Sequence, residues 1–342
     1  IDFAGLAITG NVFPVVRVQK DADVTVMNGN INNNDYVFVL GASDGSSVGN
    51  LTIESGKYVG EVTVASVTKG LLTIKGGEFS SLAPLAYINE ADEVLTLGND
   101  VTVGKIDLTE STGYVTIDAA GHTITTNDSY AVQVKATAES ITIKNANIVM
   151  TKAGDYITYA AGLKIENGDY SNKSVKLDNC TITTASTDWA YAVNLPASVK
   201  NLTLNIDKST LEGAIAVQVW GDGNNITINE SNLMCNYTTS ELYSSYCVVL
   251  QGQGANISEN NILKIKNSNF LYTGVDKVGN GVWACDDYGV NNTVEVVNCT
   301  YGEGVDKLSF IGLSYDKSTK TYVVTSAEGL IALSNKTIKA GE

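Results

Sequence analysis

The chain has 342 residues, 44% of them hydrophobic and only 17% charged, with a formal net charge of −15. Arg17 is its sole arginine. Phosphate recognition needs clustered Lys and Arg, so no nucleic acid is expected as a partner. Five cysteines, no CxxC pair and one histidine argue against a disulfide framework or a zinc site, while leaving a single bridge open. No apolar run reaches the ~18 residues that cross a bilayer, so no membrane span is expected in this chain. No cofactor is expected, and calcium has only the general acidity behind it.

The chain opens on IDFAGLAITG, and IDAAGHTITT follows at 117–126 with six of ten positions identical. Both copies lead into a short alternating stretch, VVRV at 15–18 and AVQV at 131–134. Both then reach an eight-residue pattern: apolar, any, apolar, any, turn residue, any, polar, large apolar. It reads VTVMNGNI at 24, LTIESGKY at 51, LTIKGGEF at 72, ITIKNANI at 141 and VKLDNCTI at 175. It continues as LNIDKSTL at 204, ITINESNL at 226, LKIKNSNF at 263 and VEVVNCTY at 294. Residues one and three of each copy share a strand face, and the fifth is asparagine in five of nine copies. Asparagine tolerates left-handed backbone, so this position predicts a sharp corner.

A second pattern, small, apolar, any, apolar, alternates with the first. Its copies start at 131, 162, 192, 216, 247 and 281, which sets circuits of 24 to 34 residues. Cys247 fills the small position, so it reads as a core residue. Each circuit therefore holds three short strands and a variable loop, and stacked circuits bury a continuous core. EVLTLGNDVTVGKIDLTESTGYVT, before the second IDxAG, predicts further short strands. The expected organisation is a truncated first segment over 1–84, a main segment over 85–320, and a tail over 321–342. That tail is a cap or the start of a further segment, with a short helix around 326–334.

On these repeats and their asparagine corners the chain resembles a right-handed parallel β-helix of the pectate-lyase-like superfamily. Its Gly- and Asn-rich style also resembles secreted and surface proteins of Bacteroides-type bacteria. The resemblance implies an all-β fold with three-strand coils, an asparagine-ladder corner and little helix. It also implies an extracellular or bacterial cell-surface location. In that superfamily the active groove runs along the sheet of the second pattern. The third-position residues here are Gln133, Lys164, Asn194, Gln218, Val249 and Trp283, a polar and aromatic row without stacked carboxylates. No acidic calcium-ligand row of the lyase kind is present. Neither the Gly-His-Gly nor the Arg-Ile-Lys of polygalacturonases is present.

Asp286 and Asp287 adjoin in WACDDYGV, and Asp222 lies about two coils earlier. A glycosidase needs two carboxylates facing one bond, and turn-forming is the alternative role for Asp222 and Asp287. Lys164 serves as a base only if its pKa is strongly depressed. His122 aligns with Leu6 of the first IDxAG copy and reads as structural. Asn-x-Ser/Thr sequons such as those at Asn50, Asn179 and Asn298 read as by-products of the corner chemistry.

Aromatic residues crowd the variable loops, including Tyr156, Tyr159, Trp189, Tyr191, Tyr237, Tyr243, Tyr246 and Tyr272. Aromatic faces stack on sugar rings, and neighbouring amides and carboxylates bond hydroxyls. The candidate glycan-binding set is Trp189, Tyr191, Gln218, Trp220, Asp222, Tyr243, Trp283, Asp286 and Asp287, with no catalytic or metal residues assigned. The expected function is a non-enzymatic, adhesin-like surface β-helix that binds a polysaccharide or host glycan. The alternatives are a β-helical polysaccharide lyase or glycoside hydrolase, and a structural spacer like a phage-fibre stalk.

Overall fold

A computed structural model describes residues 1–334 except 13, 21, 43–46, 48, 67–68, 87–91, 156–158, 238–244, 254–255, 275–281, 307, 309–312, 317–318, 320 and 326. The chain divides into two compact units. The first holds Ile1–Lys152 and Val175–Ile182, the second Ala153–Ser174 and Thr183–Glu342. Both are built from parallel strands stacked coil on coil, so the fold is a parallel β-helix.

In the first unit one ladder runs Ala22–Val26, Gly49–Ile53, Lys69–Ile74, Asp92–Leu97, Tyr114–Asp118, Ser140–Lys144, each parallel to the next. A second runs Ala7–Gly10, Gly29–Leu40, Gly56–Ser66, Glu78–Ala86, Val101–Leu108. The long members each cover two of the three expected strands. Gly29–Leu40 bends through register shifts near Tyr36, and opposite that bend Gly60 has φ +120°. A Cβ at Gly60 would lie 2.7 Å from the carbonyl oxygens of Asn33 and Asp35, so only glycine fits. Beyond Val101–Leu108 the ladder divides. Its start pairs with Thr123–Thr126 and its end with Tyr130–Val134. The ladders run through residue 84, because Glu78–Ala86 pairs with strands on both sides.

In the second unit all three ladders are separate. Thr203–Asp207, Asn225–Asn229, Ile262–Lys266 and Thr293–Val297 form one. Thr210–Gly213, Asn232–Cys235, Asn269–Tyr272 and Thr300–Tyr301 form the next. The third is Ala160–Ile165, Ala190–Leu195, Ile215–Val219, Ser245–Leu250, Val282–Asp287 and Val305–Asp306. The eight-residue repeats stack in register, so Leu204, Ile226 and Leu263 form one buried row and Leu211, Leu233 and Phe270 another. Burying each such side chain stabilises by about 1.5–3 kcal/mol. The chain's one described helix, Ala327–Ser334, packs on an antiparallel pair, Leu313–Asp316 and Thr321–Val324. Among the described residues no helix is long and apolar enough to cross a membrane.

The corners follow the repeat. In seven of nine copies the fifth residue has φ between 49° and 54°: Asn28, Asn145, Asn179, Lys208, Glu230, Asn267 and Asn298. The other two copies turn one residue later, at Gly56 and Gly77. IDxAG is also a corner. Positive φ at Ala4 and Gly5, and at Ala120 and Gly121, marks a type I′ turn. Leu6 N–H closes the first turn on the Phe3 carbonyl and His122 N–H closes the second on Ala119, each at 2.8 Å. Asp2 and Asp118 accept the N–H two residues on, and Gly5 and Gly121 donate to Asn28 and Asn145 of the following coil.

The asparagine corner of the repeat carries an exposed ladder, and a second, buried one lies elsewhere. Corner side chains do bond to one another, as Asn179 Nδ2 does to Asn145 Oδ1 at 2.9 Å, but along the outside. The buried ladder lies at a different corner, through Asn224, Asn261 and Asn292. Asn261 Oδ1 accepts Asn224 N and Nδ2, both at 2.9 Å. Asn261 Nδ2 donates to Gly221 O at 2.8 Å and Asn292 Oδ1 at 3.1 Å. All five cysteines are free, and Cys247 is fully buried as expected of a core residue.

Candidate functional site

The third ladder of the second unit carries the candidate groups. Leu163, Val193, Val217 and Val248 stack on its apolar face. Strand alternation puts Lys164, Asn194, Gln218, Val249 and Asp286 on the opposite face, in register. Trp283 is therefore not in this row. Val248 pairs with Cys285, so ACDD rather than GVWA continues the pattern, and Asp286 takes the expected place of Trp283. Trp283 instead pairs with Tyr246.

The polar row is covered. Lys164, Asn194, Gln218 and Asp286 are 3–6% exposed. Asn194 Nδ2 donates to Gln218 Oε1 at 2.7 Å, and Gln218 in turn bonds the Tyr191 hydroxyl. The Tyr191 ring sits 5.9 Å from Tyr159. Lys164 Nζ bonds the Tyr159 hydroxyl and stands 4.5 Å from its ring centroid, a cation–π arrangement. Burial lowers the Lys164 pKa, opposed by Glu166, and burial raises that of Tyr191. Among the described residues Asn194 Oδ1 has no hydrogen-bond partner.

Further along the same ladder stands a second, more open cluster. Tyr246 and Trp283 are half-buried neighbours. The hydroxyls of Tyr246 and Tyr288 are 2.7 Å apart, and their rings meet edge to face at 5.8 Å. Asp286 bonds Tyr288, whose pKa is raised by burial and then by that carboxylate. Tyr288 escaped the sequence reading, although its place two residues beyond Asp286 in a strand-like stretch was the available signal.

The remaining candidates are dispersed. Trp189 is 40% exposed with φ 60°, in the turn before Ala190–Leu195. Trp220 is half-buried just past Ile215–Val219, its N–H bonded to Leu195 O. Asp222 sits in a corner and accepts Asn260 Nδ2 at 3.1 Å. Asp287 accepts Gly289 N at 3.0 Å and Asn292 Nδ2 at 2.8 Å, which anchors the buried asparagine ladder. Tyr156 and Tyr243 lie outside the described residues. His122 is in its IDxAG turn with Nδ1 3.6 Å from Asp100. Among the described residues no group of three His, Cys, Asp or Glu side chains is arranged to hold a metal ion. In comparisons with protein-family models, curated proteins and solved structures, nothing matches this chain.

Proposed function

We propose that the chain is a secreted or cell-surface β-helix of the pectate-lyase-like kind, adhesin-like, that binds glycans without cleaving them. The observation that carries this reading is the Tyr246–Trp283 pair beside the Asp286–Tyr288 hydrogen bond. The half-buried rings of Tyr246 and Trp283 offer stacking faces for sugars, and the hydroxyls of Tyr246 and Tyr288 offer acceptors and donors for sugar hydroxyls. The buried Asp286 carboxylate holds Tyr288 in place. Two observations favour binding over cleavage. The Asp222 and Asp287 carboxylates are engaged by corner asparagines and backbone. Lys164 is buried under Tyr159, away from any solvent-borne substrate.

A glycan array spanning mucin glycans and plant polyuronates, run with and without calcium, tests the reading. Selective binding is expected, with Trp283→Ala weakening it about tenfold, the ~1.4 kcal/mol of a lost stacking contact. Silence across the array would reject glycan binding, and product release from any polymer would replace it with the enzyme.

A further inference from the structure

The buried polar row holds two side chains whose chemistry glycan binding does not use. Lys164 and Asn194 are paired in register on adjacent parallel strands, Ala160–Ile165 and Ala190–Leu195, within the second unit. Strand alternation puts both on the face opposite Leu163 and Val193, and they are only 4% and 3% exposed. Paired strands lie about 4.8 Å apart, so a lysine stem is long enough to bring its amine to the neighbouring amide.

Asn194 Nδ2 donates to Gln218 Oε1 at 2.7 Å, which fixes the carboxamide on the sheet. Its carbonyl oxygen is buried and, among the described residues, without a hydrogen-bond partner. An orphaned buried acceptor costs about 1–3 kcal/mol. Lys164 Nζ bonds the Tyr159 hydroxyl and stands 4.5 Å from that ring's centroid. Burial favours the neutral amine, against the pull of Glu166. A desolvated lysine amine is a nucleophile, and the carboxamide in register with it is an electrophile.

We propose that Lys164 and Asn194 join in an intramolecular amide, an isopeptide cross-link between adjacent coils that the folded chain makes for itself. The neutral Nζ adds to Asn194 Cγ. The Nζ–Cγ bond forms and the Cγ–Nδ2 bond breaks, its electron pair leaving with Nδ2. Nζ gives up one proton and Nδ2 takes it, so ammonia departs and no oxidant or co-reactant is consumed. The Tyr159 hydroxyl, bonded to Nζ, is placed to relay that proton. Negative charge develops on Oδ1, the atom open to a donor. Register holds the two groups together, which turns a slow bimolecular exchange into a unimolecular one. The product removes a buried titratable amine and ties two coils covalently.

Mass spectrometry of the intact folded chain tests this. The expected mass is that of the sequence less one ammonia. Trypsin does not cut after an acylated lysine, so digestion is expected to give residues 153–173 joined to 177–200 as one branched peptide. Lys164→Arg and Asn194→Ala should each show their full sequence mass. A wild-type mass equal to the sequence sum overturns the proposal, whatever the variants do. Ammonia loss that persists in both variants also overturns it. So does ammonia loss with Lys164 still cleaved, which would assign it to succinimide formation at an Asn-Gly pair such as Asn167–Gly168.

Discussion

At the residue scale, the corners decide how the chain turns, and they do so with backbone that most residues avoid. Left-handed φ costs an ordinary residue about 1–2 kcal/mol, and asparagine less because its amide bonds locally. Five corners use asparagine, but Lys208 and Glu230 hold φ 49° and 50° without that advantage. Lys208 is exposed at its corner, so its side chain adds little packing. Lys208→Asn is therefore expected to raise stability by about 0.5–1 kcal/mol, read as a higher urea midpoint at unchanged slope. An unchanged or lower midpoint would show that the surrounding ladders, not the corner residue, set the local strain. The five asparagines made the corner legible in sequence. The match of residues 1–5 to 117–121 at all positions but Phe3/Ala119 marked a repeated feature, but its nature as a type I′ turn needed the backbone, because Ala4 and Ala120 do not announce positive φ.

At the element scale, register decides what stacks on what. Inward positions such as Leu204, Ile226 and Leu263 were legible because alternation fixes them and each copy repeats the phase. The candidate row was legible through Lys164, Asn194 and Gln218 and then slipped. GVWA and ACDD both fit a small-apolar pattern, and only the pairing of Val248 with Cys285 separates them. The buried ladder of Asn224, Asn261 and Asn292 was missed for a related reason. Paired asparagines in loops read as turn formers, and the first of two pairs does turn, Asn260 and Asn291 with φ 58° and 55°, while ahead of Asn224 the turn falls on Gly223 with φ 68°. The asparagine that follows points inward and satisfies backbone groups that three coils would otherwise bury unpaired. Asn261→Ala removes both the acceptor for Asn224 and the donor to Gly221. It is expected to destabilise by about 2–4 kcal/mol, read as a lowered urea midpoint. Asn261→Asp restores no more than part of this, because a carboxylate cannot donate to Gly221 or Asn292. A loss under about 0.5 kcal/mol would mean that water replaces the side chain.

At the scale of the whole molecule, charge sets a stability profile that no single coil determines. A net charge of −15 and a pI near 4.5 mean that self-repulsion grows as pH rises from 4.5 to 7. Particular carboxylates pull the other way at acid pH. Burial works against ionised Asp107, yet bonds from Lys105 and Thr109 hold its pKa below the ordinary aspartate value. Asp118 is likewise lowered against burial by Asn145, the Ala120 N–H and Lys144. A carboxylate with a depressed folded pKa contributes stability that is complete above its unfolded value of about 3.9. That stability is lost as pH falls through the folded value. The two effects place maximum stability near about pH 5, with a shallow decline toward pH 7 and a steep one below about pH 4. Salt separates them. At 0.15 M the screening length is about 8 Å, so added salt should lift the pH 7 midpoint. It should leave the acid limb nearly in place, because the Asp107 and Asp118 bonds are short and partly buried. Thermal melts from pH 3 to pH 8 at low and physiological salt measure both limbs. A stability maximum at pH 7 or above in low salt would show that the carboxylate hydrogen bonds of the coils outweigh repulsion across the whole acidic surface.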